Sequence, residues 1–458
     1  MGKVVTGIRS SQRKHVPDKV GLEKDMQTSL RRIANKARKD KRHRFQNLYR
    51  LLDEVFLEQV FYSLNKKAAS GVDQVSYREY GANLKENIHR LVEKLKRKKY
   101  RAKLVRRKNI PKGKDCTRPL GIPATEDKLL QTAVSLILQA IYEQEFLSCS
   151  YGYRPKIGAG NAVQELSARL QFGKHGYVVE ADIKSFFDQI AHEWLLRMLE
   201  ERVDDRPFLR LIGKWLKAGV LEEDGEVLQP EAGTPQGGSV SPVLANIYLH
   251  YVLDLWFEKV VKKHCQGEVL MIRYADDFVC LFQYQREAER LFRELPQRLA
   301  KFSLMLAPDK TRIIRFNRFR NTNGKRFCFL GFEFYWGTSR KGKAQVYART
   351  SRKKLQSSVA EFAEWCRRHR HLGNRKIFSA VNAKLRGHYN YFGIRCNYKS
   401  LRSYFYRVMK ILHKWLNRRS QRRSCSWAKF WNLLKIHHIA WPRIVIKPPG
   451  PAQLSLPC

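Results

Sequence analysis

A chain of 458 residues is longer than one hydrophobic core usually organises, so two or three domains are expected. Hydrophobic residues at 43% and aromatic residues at 12% are enough for real cores and exclude disorder as the main state. Lys and Arg number 89 against 42 Asp and Glu, a net charge of +47 that suits work on a polyanion. Nucleic acid is favoured over an anionic membrane, because the charge is not confined to one amphipathic helix.

No apolar run approaches the roughly 18 residues of a membrane span, and Met1 to Arg50 has no signal-peptide-like stretch. Nine cysteines at irregular spacing, without a C-x-x-C pair, argue against a disulfide scaffold and a four-cysteine zinc site. They point to a reducing, cytoplasmic interior.

The first fifty residues hold 15 Lys and Arg against 4 acids, and Arg31 to Arg44 reads as a helix with bases over nearly its whole surface. From residue 46 to 335 the pattern is mixed. Gly176 to Phe186 reads as a buried strand, and Glu268 to Phe282 as strand, turn, strand with Ala275-Asp276-Asp277 at the turn. Ser241 to Trp256 reads as a helix with an apolar face of Leu244, Ile247, Tyr248, Tyr251, Val252 and Leu255. The class is α+β, a sheet with helices on one face. The last 120 residues hold 28 Lys and Arg and two acids, Glu361 and Glu364, and read as a basic helical region. Lys399 to Trp415 carries a helical stripe, and the tail after Trp441 is proline-rich and extended.

Nucleotide addition to a growing strand needs hard cations held by carboxylates on stiff elements. Asp182 ends an apolar strand. Asp276 and Asp277 sit at a hairpin turn, and adjacent strands would bring Asp182 beside Asp276. Alternation along a strand makes one of the two turn aspartates the stronger ligand. A second pair, Asp204-Asp205, lacks flanking apolar strands and reads as a surface loop.

At Tyr274-Ala275-Asp276-Asp277 the sequence resembles a reverse transcriptase, and further blocks follow in family order. They are Gly71-Val72-Asp73, Ile110-Pro111-Lys112 through Arg118 to Pro123, Tyr151 to Pro155, Asp182 to Phe187, Gly233 to Pro242, Leu304 to Thr311 and Phe329 to Phe332. Leu385 to Phe392 resembles the maturase (X) region, so residues 25 to 435 look like a bacterial group II intron-encoded reverse transcriptase/maturase. Tyr153 and Asp309 depart mildly from the family's usual Phe and Glu.

The resemblance implies a right-hand polymerase: a basic extension (1–45), fingers and palm with an antiparallel palm sheet (46–335), a helical thumb/maturase domain (345–440) and a tail (441–458). It implies two Mg²⁺ ions held by Asp182, Asp276, Asp277 and Ile183. Lys112 and Arg118 would neutralise the incoming triphosphate, and Phe187 would reject a ribose 2′-hydroxyl. Gln236 and Ile183 would line the nucleotide site, and Lys310 would hold or protonate the leaving pyrophosphate. Aromatics interleaved with bases (Tyr389, Tyr391, Phe392, Trp415) can stack on RNA, although helical spacing places most of them in a core. Arg386, His388, Tyr389, Arg418 and Arg419 are the expected RNA contacts.

The implied partners are group II intron RNA, an RNA template, a DNA primer or target, and dNTPs, with no membrane; monomer and dimer both stay open. No paired-cysteine knuckle follows the maturase-like block, so no endonuclease is expected, and priming would use an existing 3′ end. The implied activity is RNA-directed DNA synthesis with assistance to splicing and retrohoming by target-primed reverse transcription. The alternatives are a retron, diversity-generating or CRISPR-linked reverse transcriptase, and an RNA-binding splicing cofactor without polymerase activity.

Overall fold

The computed structural model describes residues 19–111, 117–234, 237–317, 325–418 and 425–446. Lys112, Gln236 and Arg419 lie outside the described residues. The chain divides into two compact units, Met1–Phe146 with His192–Ile247, and Leu147–Ala191 with Tyr248–Cys458.

In chain order the elements begin with α1 (Lys19–Lys39), α2 (Glu54–Ser63), α3 (Tyr77–Ala82), α4 (Leu84–Lys96), β1 (Val105–Pro111), β2 (Thr117–Ile122) and α5 (Thr125–Tyr142). Next come α6 (Ala159–Phe172), β3 (Tyr177–Asp182), α7 (Phe186–Gln189), α8 (His192–Glu200), α9 (Arg206–Leu216), β4 (Val220–Leu221), β5 (Val227–Leu228) and α10 (Ser241–Leu249). The rest are β6 (Val269–Tyr274), β7 (Asp277–Phe282), α11 (Gln285–Ala300), β8 (Arg312–Arg315), β9 (Phe327–Phe329), β10 (Phe332–Thr338), β11 (Ala344–Thr350), α12 (Arg352–His369), α13 (Asn374–Phe392), α14 (Tyr398–Leu416) and α15 (Trp427–Ile436).

In the first unit α5 is buried along most of its length, with Leu129, Leu130, Ala133, Val134, Ile137, Leu138 and Ile141 fully covered. Helix α1 packs on α5. Its bases do not cover the whole surface as expected. Ala37 is buried and Ile33 and Ala34 half-buried, while Arg31, Arg32, Lys36, Arg38 and Lys39 stay exposed. Strands β1 and β2 pair antiparallel, and β4 joins β1 in parallel. The expected surface pair divides. Asp204 stays outside, but Asp205 is buried as the N-cap of α9, accepting from the Phe208 and Tyr49 amides at 3.1 and 2.8 Å. The unsatisfied donors of a buried helix start draw that carboxylate in.

The second unit is built on an antiparallel sheet of order β6-β7-β3-β8 and a three-stranded sheet of order β11-β10-β9. Strand Ala344–Thr350 falls inside the range read as helical. Val346, Ala348 and Thr350 are buried and alternate with Gln345, Tyr347 and Arg349, a period-two pattern that the basic composition obscures. The helix expected over Ser241 to Trp256 begins as α10 and continues in π-helical turns, His250–Asp254 and Phe257–Val261. Val243 to His250 are all buried, so the apolar face extends round the helix.

The C-terminal helices share their core with both sheets. One cluster of buried residues joins Val178, Ile272 and Phe327 to Phe378, Leu385, Phe405 and Leu412. The described part of the tail docks on it: the Val445 and Ile446 amides both donate to the Gly393 carbonyl, and the Trp441 ring lies 4.8 Å from that of Phe405. Among the described residues no helix is long and apolar enough to cross a membrane.

Candidate active site

Strand β3 ends at Asp182 and β7 begins at Asp277, and the two are direct cross-strand partners. The residue beside Asp182 is therefore Asp277, not Asp276. The β6–β7 hairpin pairs Tyr274 with Asp277, which leaves Ala275 and Asp276 as a two-residue turn. Ala275 takes the left-handed conformation (φ 58°) that such a turn requires.

The pair is only partly compensated, with Lys310 reaching Asp182. Burial, and then the charges of Asp182, Asp276 and Glu180, push the Asp277 carboxyl up to about 7, and the Leu330 amide opposes this only in part. Lys310 pairs with Asp182, and that hydrogen bond raises the Lys310 ammonium above its ordinary value. The Lys184 amide donates to Met305 and the Ala307 amide to Asp182, both at 2.8 Å, so the segment before Lys310 runs alongside Asp182. Ile183 bridges Leu306 in this pairing without using its own amide or carbonyl. The residue as a whole is 2% exposed, its side chain packed into the fold. The carboxylates border a hollow of about 450 Å³ lined by Glu180, Ala181, Asp182, Asp277, Asp309, Lys310, Arg312 and Cys328. Four acids face two bases there, a negative pocket in a chain of net charge +47.

A clamp that the sequence reading missed holds the turn. Arg273 is fully buried and grips Asp254 through two bonds of 2.7 and 2.5 Å. It also donates to the Ser150 hydroxyl at 2.7 Å and to the Ala275 carbonyl at 3.1 Å. Asp254 lies in the first π-helical turn, a backbone irregularity common at functional sites. Gly152 presses on the same turn: a Cβ there would lie 2.3 Å from the Ala275 nitrogen. An Arg directly after the apolar run Leu270-Met271-Ile272 and within the same strand was the available signal, since a buried charge needs a partner.

Phe187 sits in the short helix α7, entered through Ser185 in the left-handed region (φ 43°). Its ring is 8% exposed and stands edge-on to Tyr153 and Phe186, at 6.3 and 5.5 Å. In the first unit Arg118 is exposed on β2 opposite Ile110. Gly237, at φ 119°, brings its block onto the one containing Gly121, whose carbonyl would lie 2.4 Å from an added Cβ.

Two expected RNA contacts are corrected. Tyr389 is fully buried and donates to the Ala440 carbonyl at 3.1 Å. The largely buried His388 ring stacks on Tyr404 at 3.7 Å, and burial pushes its pKa down to about 4. Helical spacing turns both inward, while Arg386 and Arg418 remain exposed, Arg418 lying over the Trp415 ring. Tyr391 instead reaches the carboxylates indirectly: its hydroxyl donates to the Leu330 carbonyl at 3.2 Å, and the Leu330 amide bonds the Asp277 carboxyl.

Residues 110–334 match the family model described as reverse transcriptase (RNA-dependent DNA polymerase), so the paired carboxylates and their sheet belong to such a domain. The chain is 31% identical over 366 residues to Protein YkfC of Escherichia coli K12, covering 72% of this chain and 93% of that protein. It is 38% identical over 221 residues to the group II intron-encoded protein LtrA of Lactococcus lactis subsp. cremoris, covering 44% of this chain and 36% of LtrA. Against nuclear intron maturase 4, mitochondrial, of Arabidopsis thaliana it is 26% identical over 145 residues, covering 32% of this chain and 18% of the relative. The match thus spans most of YkfC but only a minor part of the two intron proteins. The chain belongs to the group II intron reverse transcriptase/maturase family, whose function joins reverse transcription to assistance in splicing.

Proposed function

We propose that this protein is a working RNA-directed DNA polymerase that extends a DNA 3′ end on an RNA template with dNTPs, and that it binds a group II intron RNA to assist splicing and retrohoming in the cytoplasm. The observation that carries the reading is the opposed Asp182–Asp277 pair, with the Asp277 carboxyl pushed up to about 7 by burial and then by the neighbouring acids. An oxygen-only donor set with surplus negative charge fits hard divalent cations. Among the described residues no three His, Cys, Asp or Glu side chains form a closed metal cage. An open set of one or two carboxylates completed by substrate phosphates is how Mg²⁺ is usually held. Asp182, Asp277, Asp276 and the Ile183 carbonyl would hold two Mg²⁺ ions, which when bound would acidify the primer hydroxyl and steady the departing pyrophosphate.

The chain's own groups would do the rest. Lys310 would leave Asp182 to meet the pyrophosphate, holding its charge or supplying a proton. Phe187 would present its ring edge to the sugar and exclude a 2′-hydroxyl, while Arg118, with Lys112 and Gln236, would receive the triphosphate. In this reading the sheet β6-β7-β3-β8 is the palm, the β1–β2 region the fingers and the helices after β11 the thumb and maturase region. The exposed bases Arg386 and Arg418, with Arg419, would hold RNA backbone.

Primer extension on an RNA template with dNTPs and Mg²⁺ tests the reading. The natural protein is expected to extend, and Asp182→Asn or Asp276→Ala to lose at least about a hundredfold in rate with RNA binding kept. Tight RNA binding without extension by the natural protein would leave the splicing-cofactor reading in its place.

A further inference from the structure

In the first unit a hollow of about 840 Å³ opens between α8, α9 and the segment before β1. Its floor is apolar: Leu104, Leu196, Leu209 and Ala218. Its rim is basic: Arg101, Arg206, Arg210, Lys214 and Lys217 stand against a single acid, Glu200. All five bases are exposed, and among the described residues none of them forms an ion pair. Lys214 alone is tied down, donating to the Tyr100 carbonyl at 2.6 Å.

These charges do not serve the helix that carries them. Arg206, Arg210 and Lys214 follow one another at i, i+4 along α9, and like charges at that spacing repel. Arg206 is the first residue of α9, whose first turn has no acid, so it also opposes the helix dipole. Gly213 is a second and independent sign. It lies inside α9, where glycine is less favourable than alanine, yet an added Cβ would meet nothing within 4 Å. No packing in the fold requires that glycine; what its missing side chain provides is open space in the hollow.

We infer that this hollow binds single-stranded RNA, with phosphates on the Arg206–Arg210–Lys214 ladder and a splayed base on the Leu104–Leu196–Leu209 floor beside Gly213. Unpaired bases are what proteins read in RNA, and a concavity of small-molecule size admits a base but not a duplex. The Gln229 amide at the edge offers a donor and an acceptor to that base. The assignment rests on the reading of the chain as an RNA-handling enzyme, but it uses none of the residues given to the polymerase chemistry.

The experiment is photo-crosslinking of the full-length protein to a single-stranded RNA containing 4-thiouridine, with the linked peptides mapped by mass spectrometry. Crosslinks are expected within residues 101–104 and 206–217, and a duplex of equal length should not compete for them. Arg206→Glu/Arg210→Glu should cut these crosslinks at least about tenfold. Gly213→Leu should do the same while keeping or raising the melting temperature, because it replaces a helical glycine and fills empty space. Primer extension on a short template should be unchanged in Gly213→Leu, which separates failure here from failure of the polymerase reading. Absence of crosslinks from these peptides while others form overturns the proposal. Their survival in Gly213→Leu overturns it as well, by showing that RNA crosses the rim on charge alone.

Discussion

At the residue scale, the Asp277 carboxyl makes the metal-free protein self-opposed. Its folded pKa is raised to about 7, so the folded state favours the protonated form. That contribution is fully present below the ordinary carboxylate range and is lost as pH rises through about 7. Asp277→Asn should therefore melt higher than the natural protein at pH 8 in EDTA, match it at pH 5, and lose primer extension. Equal melting at pH 8 would show that the negative hollow is not strained. The Arg273 clamp is the counterpart device. Asp254→Asn should lower kcat with little change in the KM for dNTP and need more Mg²⁺, since it loosens the turn without touching substrate; unchanged Mg²⁺ dependence would reduce the clamp to a fold contact. Phe187→Ala should raise ribonucleotide incorporation, read as the ratio of rNTP to dNTP use in single-nucleotide extension. The identities Asp182, Asp276 and Asp277 were legible in the sequence because short polar motifs between apolar strands stand out. Their pairing was not, because strand alternation does not say which residues a hairpin spends on its turn, and that choice moved the partner of Asp182 by one position.

At the scale of elements, the helices α13 and α14 show how composition misleads. Basic residues suggested a surface made for RNA, and their outward faces keep that property, but the aromatic residues between them close a core. His388 is held neutral between Tyr404 and Phe392, with Lys354 adding repulsion. Its folded pKa of about 4 lies below the ordinary 6.5, so the unfolded chain takes up the proton first. Stability should be full above pH 6.5 and fall as pH drops toward 4. Urea unfolding at pH 7 and pH 5 should show a loss in the natural protein that His388→Phe largely removes. The strand β11 was the least legible element. Its alternation is real, but it lies where the charge pattern announces helices, and only tertiary pairing decides such a segment.

At the scale of the whole molecule, a net charge of +47 predicts that RNA affinity falls steeply between about 50 and 200 mM salt. A shallow slope in a filter-binding titration would mean that few phosphates are engaged. The same charge leaves the fold reliant on apolar burial, and in the second unit that burial is pooled: the sheets that carry the carboxylates and the helices that carry the bases close one core together. Tyr391, Leu330 and Asp277 are the visible stitch between them. The consequence is genetic. A nonsense codon after β11 would take away the polymerase along with the basic helices, and a lineage that ceased to need its intron could not discard one activity by trimming the gene. It could lose either function only by point substitution, leaving a full-length descendant with a silent site.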